Sequence, residues 1–205
     1  MIFLTDGPAD AERTFAFAHG AGSAMDAPFM NTVARGVGER GIRVARFEFP
    51  YMHGRRSGSK RGAPDREPVL SATWREVISE LGGGRPLFIG GKSMGGRMAS
   101  LVADEAGVEG LICLGYPFHP PGDRTKLRTR HLEALRTPTL ILQGTRDIFG
   151  NVEEVGGYLL SPSIRVEWLT DGDHSFKPRA SSGTTEKANL QKAIETVAAF
   201  ILRMG

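Results

Sequence analysis

The residues that could do chemistry in this sequence are Ser93, Asp147 and His174, in that chain order. Ser93 is the centre of Gly91-Lys92-Ser93-Met94-Gly95, a G-x-S-x-G pattern. The apolar run Leu87-Phe88-Ile89 precedes it, and Arg97-Met98-Ala99-Ser100-Leu101-Val102-Ala103 follows as a helix-like stretch. Strand, tight turn and helix form the setting in which a serine is held exposed as a nucleophile. Gly91 and Gly95 fall where a Cβ would meet the neighbouring strand and helix. With 27 glycines in the chain, the bare pattern carries little weight, and Ser93 alone would read equally as a turn serine. Specificity comes from the partners that follow it.

A serine hydroxyl is a poor nucleophile at neutral pH and needs a base to take its proton. His174 is the histidine that follows the late strand-like stretch 164–168, and it is the candidate base. Asp147 follows the strand-like stretch 139–143 and is the candidate to hold the imidazole tautomer. Its alternatives are an Asx-turn in Thr145-Arg146-Asp147 or a pair with Arg146. Asp171 and Asp173 compete for the same role, but they lie too close in sequence to His174 to reach around its ring. An attacked carbonyl becomes an oxyanion, and the backbone N–H groups of Met94 and Ala21 are the expected donors, with Gly22 as the substitute for Ala21. His19 is expected to fix the glycine loop His19-Gly20-Ala21-Gly22. His53, His119 and His131 read as loop or surface residues, and Lys92 as solvated.

These groups must be carried by strands and helices. Apolar runs predict strands over 2–4, 14–18, 42–47, 87–89, 111–114, 139–143 and 164–168. Helical spacing predicts helices over 28–40, capped by Asp26, over 68–81, after Ser93, over 124–136, over 151–160 capped by Asn151, and over 185–204. Residues 48–67 read as irregular, with Pro50, Pro64 and the basic cluster Arg55, Arg56, Lys60, Arg61 and Arg66. Alternating strands and helices imply an α/β, mostly parallel, doubly wound sheet, in which ligands bind beyond the carboxyl ends of the strands. Residues 1–205 read as a single domain, and no linker or repeat divides them.

Composition narrows the classes. Hydrophobic residues are 40% and charged residues 24%, ordinary for a globular protein. A net charge of +3 without a recognisable module argues against nucleic-acid binding. No stretch approaches the roughly 20 apolar residues of a membrane span, and the N-terminus lacks the pattern of a signal peptide. A cytoplasmic location follows as an expectation. The lone Cys113 sits in an apolar run as a small hydrophobe, which excludes a disulfide framework. No clustered His and carboxylate pattern suggests a metal, and no cofactor is expected. The sequence sets no oligomeric state.

Several stretches together resemble a known family: His19-Gly20-Ala21-Gly22, Phe47-Glu48-Phe49-Pro50-Tyr51-Met52, Arg55-Arg56 with Lys60-Arg61 and Pro64-Asp65, and Gly91 to Arg97. The resemblance continues through Gly115-Tyr116-Pro117-Phe118-His119-Pro120-Pro121-Gly122, Gln143-Gly144-Thr145-Arg146-Asp147 and Gly172-Asp173-His174-Ser175-Phe176. The chain resembles the α/β-hydrolases, in particular cap-less bacterial members of the testis-expressed and non-specific-lethal-complex subunit-three-like branch, near the dienelactone hydrolases. The resemblance implies a serine hydrolase without a large cap. Dienelactone hydrolases use a cysteine nucleophile where this chain has Ser93, so their reaction does not transfer.

The expected activity is cleavage of a small carboxylic ester or thioester through an acyl-enzyme. The alternative is a catalytically silent hydrolase-fold scaffold. Gly20, Gly22, Tyr51, Met52, Arg55, Arg56, Tyr116 and Phe118 are the candidate substrate-binding residues. Arg55 and Arg56 belong to a loop that would either be solvated or lie over the site facing an anionic substrate.

Overall fold

The computed structural model describes every residue except Ser57, 59–62, 83–85 and Gly205, with the side chain of Arg56 also left out. In chain order the elements are β1 (Leu4–Asp6), β2 (Thr14–Ala18), α1 (Pro28–Gly38), β3 (Arg43–Phe47), α2 (Pro50–Arg56), α3 (Glu67–Leu81), β4 (Leu87–Lys92) and α4 (Met94–Ser100). They continue with α5 (Ala103–Ala106), β5 (Gly110–Leu114), a short 3-10 helix (Arg130–Glu133), β6 (Thr139–Gly144), α6 (Val152–Val155), β7 (Ile164–Leu169) and α7 (Glu186–Arg203). The strands form one sheet in the order β1-β3-β2-β4-β5-β6-β7. β1 pairs antiparallel at one edge, and all other pairings are parallel. This is the doubly wound α/β sheet that the alternating pattern predicts.

Parallel strands covered on both faces read as continuous apolar runs, and here their residues still divide by period two. Ala16, Ala18, Ile89, Leu111, Cys113 and Ile141 join one core with Trp74 of α3 and Met98 of α4. Phe15, Phe17, Phe88, Ile112, Leu114, Leu140 and Leu142 join the other, with Val33 and Val37 of α1 and Ile194, Val197 and Ile201 of α7. Trp74 stacks edge-on against Phe47, with centroids 4.8 Å apart, and its indole N–H donates to the Gly95 carbonyl at 3.3 Å. Each such fully buried aromatic contributes about 1.5–3 kcal/mol. The turn that carries Ser93 therefore rests on packed structure.

Several local expectations change. Residues 50–56 form α2 instead of an irregular stretch, because Asp65 reaches back to accept the Tyr51 N–H at 2.9 Å and satisfies the first turn. The stretch 124–136 keeps only the 3-10 helix, since it lacks an apolar stripe and Leu127 faces outward. The helix after Asn151 forms with the predicted cap, made reciprocal by Glu154, but ends at Val155 before Gly156-Gly157. Ala27, not Asp26, occupies the cap position of α1. β4 runs on from Ile89 to Lys92, because the backbones of Gly90 and Gly91 continue the pairing with β2 and β5. Between Gly115 and Pro138 the chain carries the 3-10 helix and no larger insertion.

Candidate active site

Ser93 links β4 to α4 with φ 51° and ψ −116°, a conformation that costs a non-glycine residue on the order of 1–3 kcal/mol. Its N–H donates to the Leu114 carbonyl at 3.0 Å, anchoring the turn to β5. Close approach demands the flanking glycines. A Cβ on Gly91 would lie 2.5 Å from the Ala18 carbonyl oxygen, and one on Gly95 would lie 2.6 Å from that of His19. The strain is thus held by packing from β2, and the hydroxyl is lifted beyond the sheet at the start of α4.

The Ser93 hydroxyl lies 2.9 Å from His174 Nε2. The opposite ring nitrogen, Nδ1, lies 2.7 Å from Asp147 Oδ2. Asp147 is wholly buried, and it also accepts from the Gln143 side-chain amide at 3.0 Å and from the Phe149 N–H at 2.9 Å. These donors fix the orientation of the carboxyl group that faces the imidazole. With Nδ1–H given to Asp147, Nε2 is the acceptor that faces the serine. Burial holds the His174 imidazole below its ordinary value, the Lys92 charge adds to this, and the Asp147 hydrogen bond opposes it. A neutral imidazole beside a hydroxyl is an arrangement that can accept a proton during nucleophilic attack.

Neither competing carboxylate faces Nδ1. Asp171 pairs with Arg146 and Arg179, and the Arg179 hydrogen bond pulls it down to about 2. Asp173 Oδ1 accepts the N–H groups of Ser175 and Lys177, closing the turn around His174.

The glycine loop lies against the serine, since a Cβ on Gly20 would be 3.6 Å from Ser93 Cβ. His19 is buried and stitches the loop in place. Its Nδ1 is 2.8 Å from the Gly20 carbonyl, and its Nε2 accepts the Phe49 N–H at 3.1 Å. The Tyr51 hydroxyl donates to the Ala21 carbonyl at 3.0 Å. Met94 is the first residue of α4, so its N–H has no partner within the helix. Gly22 is exposed at the rim.

A family model for the alpha/beta hydrolase domain matches residues 11–202. The chain belongs to the α/β-hydrolase family. Solved α/β-hydrolase relatives share the fold at low identity. A serine hydrolase without a lid from Xanthomonas campestris is 21% identical with a TM-score of 0.69, over 96% of this chain and 88% of that one. Est1E from Butyrivibrio proteoclasticus, solved with ferulic acid bound, is 14% identical with a TM-score of 0.74, over 99% and 94%. A dienelactone hydrolase from Anabaena variabilis is 20% identical with a TM-score of 0.66, over 93% and 88%.

Within this α/β-hydrolase framework, three expected wall residues belong to the core. Tyr116 and Phe118 are 0% exposed within the cluster that also holds Trp74 of α3 and Met98 of α4, and Met52 of α2 is buried at 5% exposed. The Tyr116 hydroxyl donates to the Arg128 carbonyl at 2.9 Å, which turns it away from the serine loop. Tyr51 is half-buried beside Ala21, and the Arg55 guanidinium lies over its ring at 5.1 Å. Burial raises the Tyr51 phenol to about 12, so it remains a donor. The Arg56 side chain, Lys60 and Arg61 lie outside the described residues. His119 and His131 are drawn inward, His119 to Glu154 and His131 to Ser100.

Other residues entered the site unannounced. Gln143 is a buried amide that ties Asp147 to Tyr116 and Gly150. A polar residue ending an otherwise apolar strand was its signal. The Phe149 ring packs on His174 with centroids 4.3 Å apart, and Ile148 beside it is 63% exposed. Lys92, expected in solvent, is buried. Among the described residues no group of three or more His, Cys, Asp or Glu is placed to hold a metal ion, and no helix is long and apolar enough to cross a membrane.

Proposed function

We propose that this chain is a serine hydrolase that cleaves a small carboxylic ester or thioester through an acyl-enzyme. The observation that carries the proposal is the unbroken hydrogen-bonded series from Ser93 through His174 to buried Asp147. In the reaction, Ser93 Oγ attacks the substrate carbonyl carbon while His174 Nε2 takes the hydroxyl proton. Asp147 keeps the ring oriented and stabilises the imidazolium. The carbonyl oxygen becomes an oxyanion held by the N–H groups of Met94 and Ala21, each donor worth about 3 kcal/mol. Collapse breaks the bond to the alcohol or thiol, which leaves with the proton from His174. Water, activated by the same imidazole, then releases the acid and restores Ser93.

Gly20, Gly22, Tyr51 and Arg55 border the position where the acyl group would sit, and Arg55 would favour a substrate carrying negative charge. The half-buried Ser93 and the exposed Gly22 and Ile148 support a small acyl chain in an open site. The sequence motifs support placing the chain in the testis-expressed and non-specific-lethal-complex subunit-three-like branch of its family.

The test is labelling by a fluorophosphonate probe, comparing wild type with Ser93→Ala and His174→Ala, followed by a panel of short esters and thioesters. Stoichiometric labelling that is lost in both variants is expected. A folded wild type that does not label would favour the silent scaffold.

A further inference from the structure

Lys92 precedes Ser93 in β4, a strand whose six residues are all buried. An ammonium in such a position must find partners, because an isolated buried charge is heavily penalised. Its Nζ donates to the backbone carbonyl of His174 at 2.6 Å. The rings of Phe29, from α1, and Phe176 flank it at 5.6 and 5.8 Å from their centroids. Gly115, the residue that follows β5, has φ +68° and leaves the space for this contact. A Cβ there would stand 2.7 Å from Nζ and 3.2 Å from His174 Cε1. The amine therefore joins the strand that carries the serine to the loop that carries the histidine, on the side away from solvent.

We propose that Lys92 is a positioning residue for the hydrolytic site: its buried amine clamps the His174 carbonyl and holds the imidazole against Ser93, more strongly as the ammonium than as the neutral amine. This rests on the reading of His174 as the base that activates Ser93. The clamp acts through the His174 backbone, so it leaves Nε2 free to move the proton. Its charge is balanced by the Asp147 carboxylate on the other side of the same imidazole and by Asp173 in the His174 turn. The other neighbours that pack on it, Phe29, Phe176 and Gly115, bring no charge.

A pH signature follows. Burial lowers Lys92 to about 8, with Asp147 and Asp173 opposing. The ammonium is present below that value and lost above it, so activity should fall as pH rises through it. On the acid side, the cation adds to the lowering of His174, so removing it should move the rising limb to higher pH.

The experiment measures the second-order rate of fluorophosphonate labelling from roughly pH 6 to roughly pH 10 for wild type and Lys92→Met. Wild type is expected to give a bell with a falling limb near pH 8 that shifts strongly with temperature, as amine ionisation does. Lys92→Met is expected to label about ten- to a hundredfold more slowly, as a misplaced base would. It should also lose the falling limb and show its rising limb at higher pH. A Lys92→Met protein with the wild-type rate and profile, or a wild-type rate that stays flat above neutrality, would overturn the inference. If Lys92→Met does not fold, the wild-type limb and its temperature dependence decide alone. Wild type that never labels removes the serine-hydrolase reading, whereas labelling with a flat alkaline profile removes only the role of Lys92.

Discussion

His174 Nε2 lies 2.9 Å from Ser93 Oγ although 81 residues of chain separate them. Two different strand ends deliver the pair, so the distance is a property of sheet order. Asp147 completes it from a third strand end, and an amide there cannot accept the Nδ1–H in the same way. Asp147→Asn should lower the rate of ester hydrolysis by about a thousandfold or more while the protein stays folded, because the wrong tautomer would face the serine. Steady-state hydrolysis of an activated ester, alongside circular dichroism, measures both. A loss of less than tenfold would remove Asp147 from the proposed role.

The pH dependence on the acid side has a defined direction. The base works only when neutral, and burial lowers the affinity of His174 for its proton. Activity should therefore rise with pH through a value below the ordinary histidine value of about 6.5 and be on its plateau at neutrality. The dependence of kcat/KM on pH for an ester with a non-ionising leaving group reads this limb. A midpoint above the ordinary value would contradict the assignment of His174 as a buried neutral base.

Tyr51 supports the glycine loop from outside, through its hydroxyl on the Ala21 carbonyl. Tyr51→Phe removes that bond and keeps the ring under Arg55. The loop then holds the Ala21 N–H less firmly, and kcat should drop about tenfold with only a small change in stability, about 1 kcal/mol. Parallel measurement of kcat, KM and thermal melting separates this from general destabilisation. Unchanged kcat would remove Ala21 as an oxyanion donor.

Gly95 has no room for a methyl group, since the His19 and Ala18 carbonyl oxygens would lie 2.6 and 2.8 Å from it. Those atoms belong to the backbone of β2 and its following loop and cannot swing aside. Gly95→Ala should cost about 1–3 kcal/mol of stability and also displace Ser93, so labelling falls with the melting temperature. Gly22→Ala, where no atom lies within 4 Å of the new Cβ, should melt like wild type.

Much of the fold was legible in the chain alone. Short apolar runs bounded by Gly and Pro predicted seven strands, and residues 14–18 match β2. Periodicity is local, so it survives without tertiary information. The length of a helix is less secure, because capping and burial decide it: Asp65 stabilises α2 from fourteen residues away, and Gly156 ends α6 early.

The site divides in the same way. The types and order of Ser93, Asp147 and His174, and the glycines around the serine, are properties of the sequence, because a sharp strand-to-helix turn needs small neighbours wherever it occurs. Which side chains face the serine is a matter of packing. Tyr116 and Phe118 follow a strand end as a wall residue would, yet they turn beneath it into the core with Trp74. Lys92 carries a charge that local reading assigns to solvent, yet pairing of β4 on both sides encloses it and leaves the His174 carbonyl as its acceptor. A residue's neighbours across the sheet are set by strand order, and no local pattern in the chain records that order.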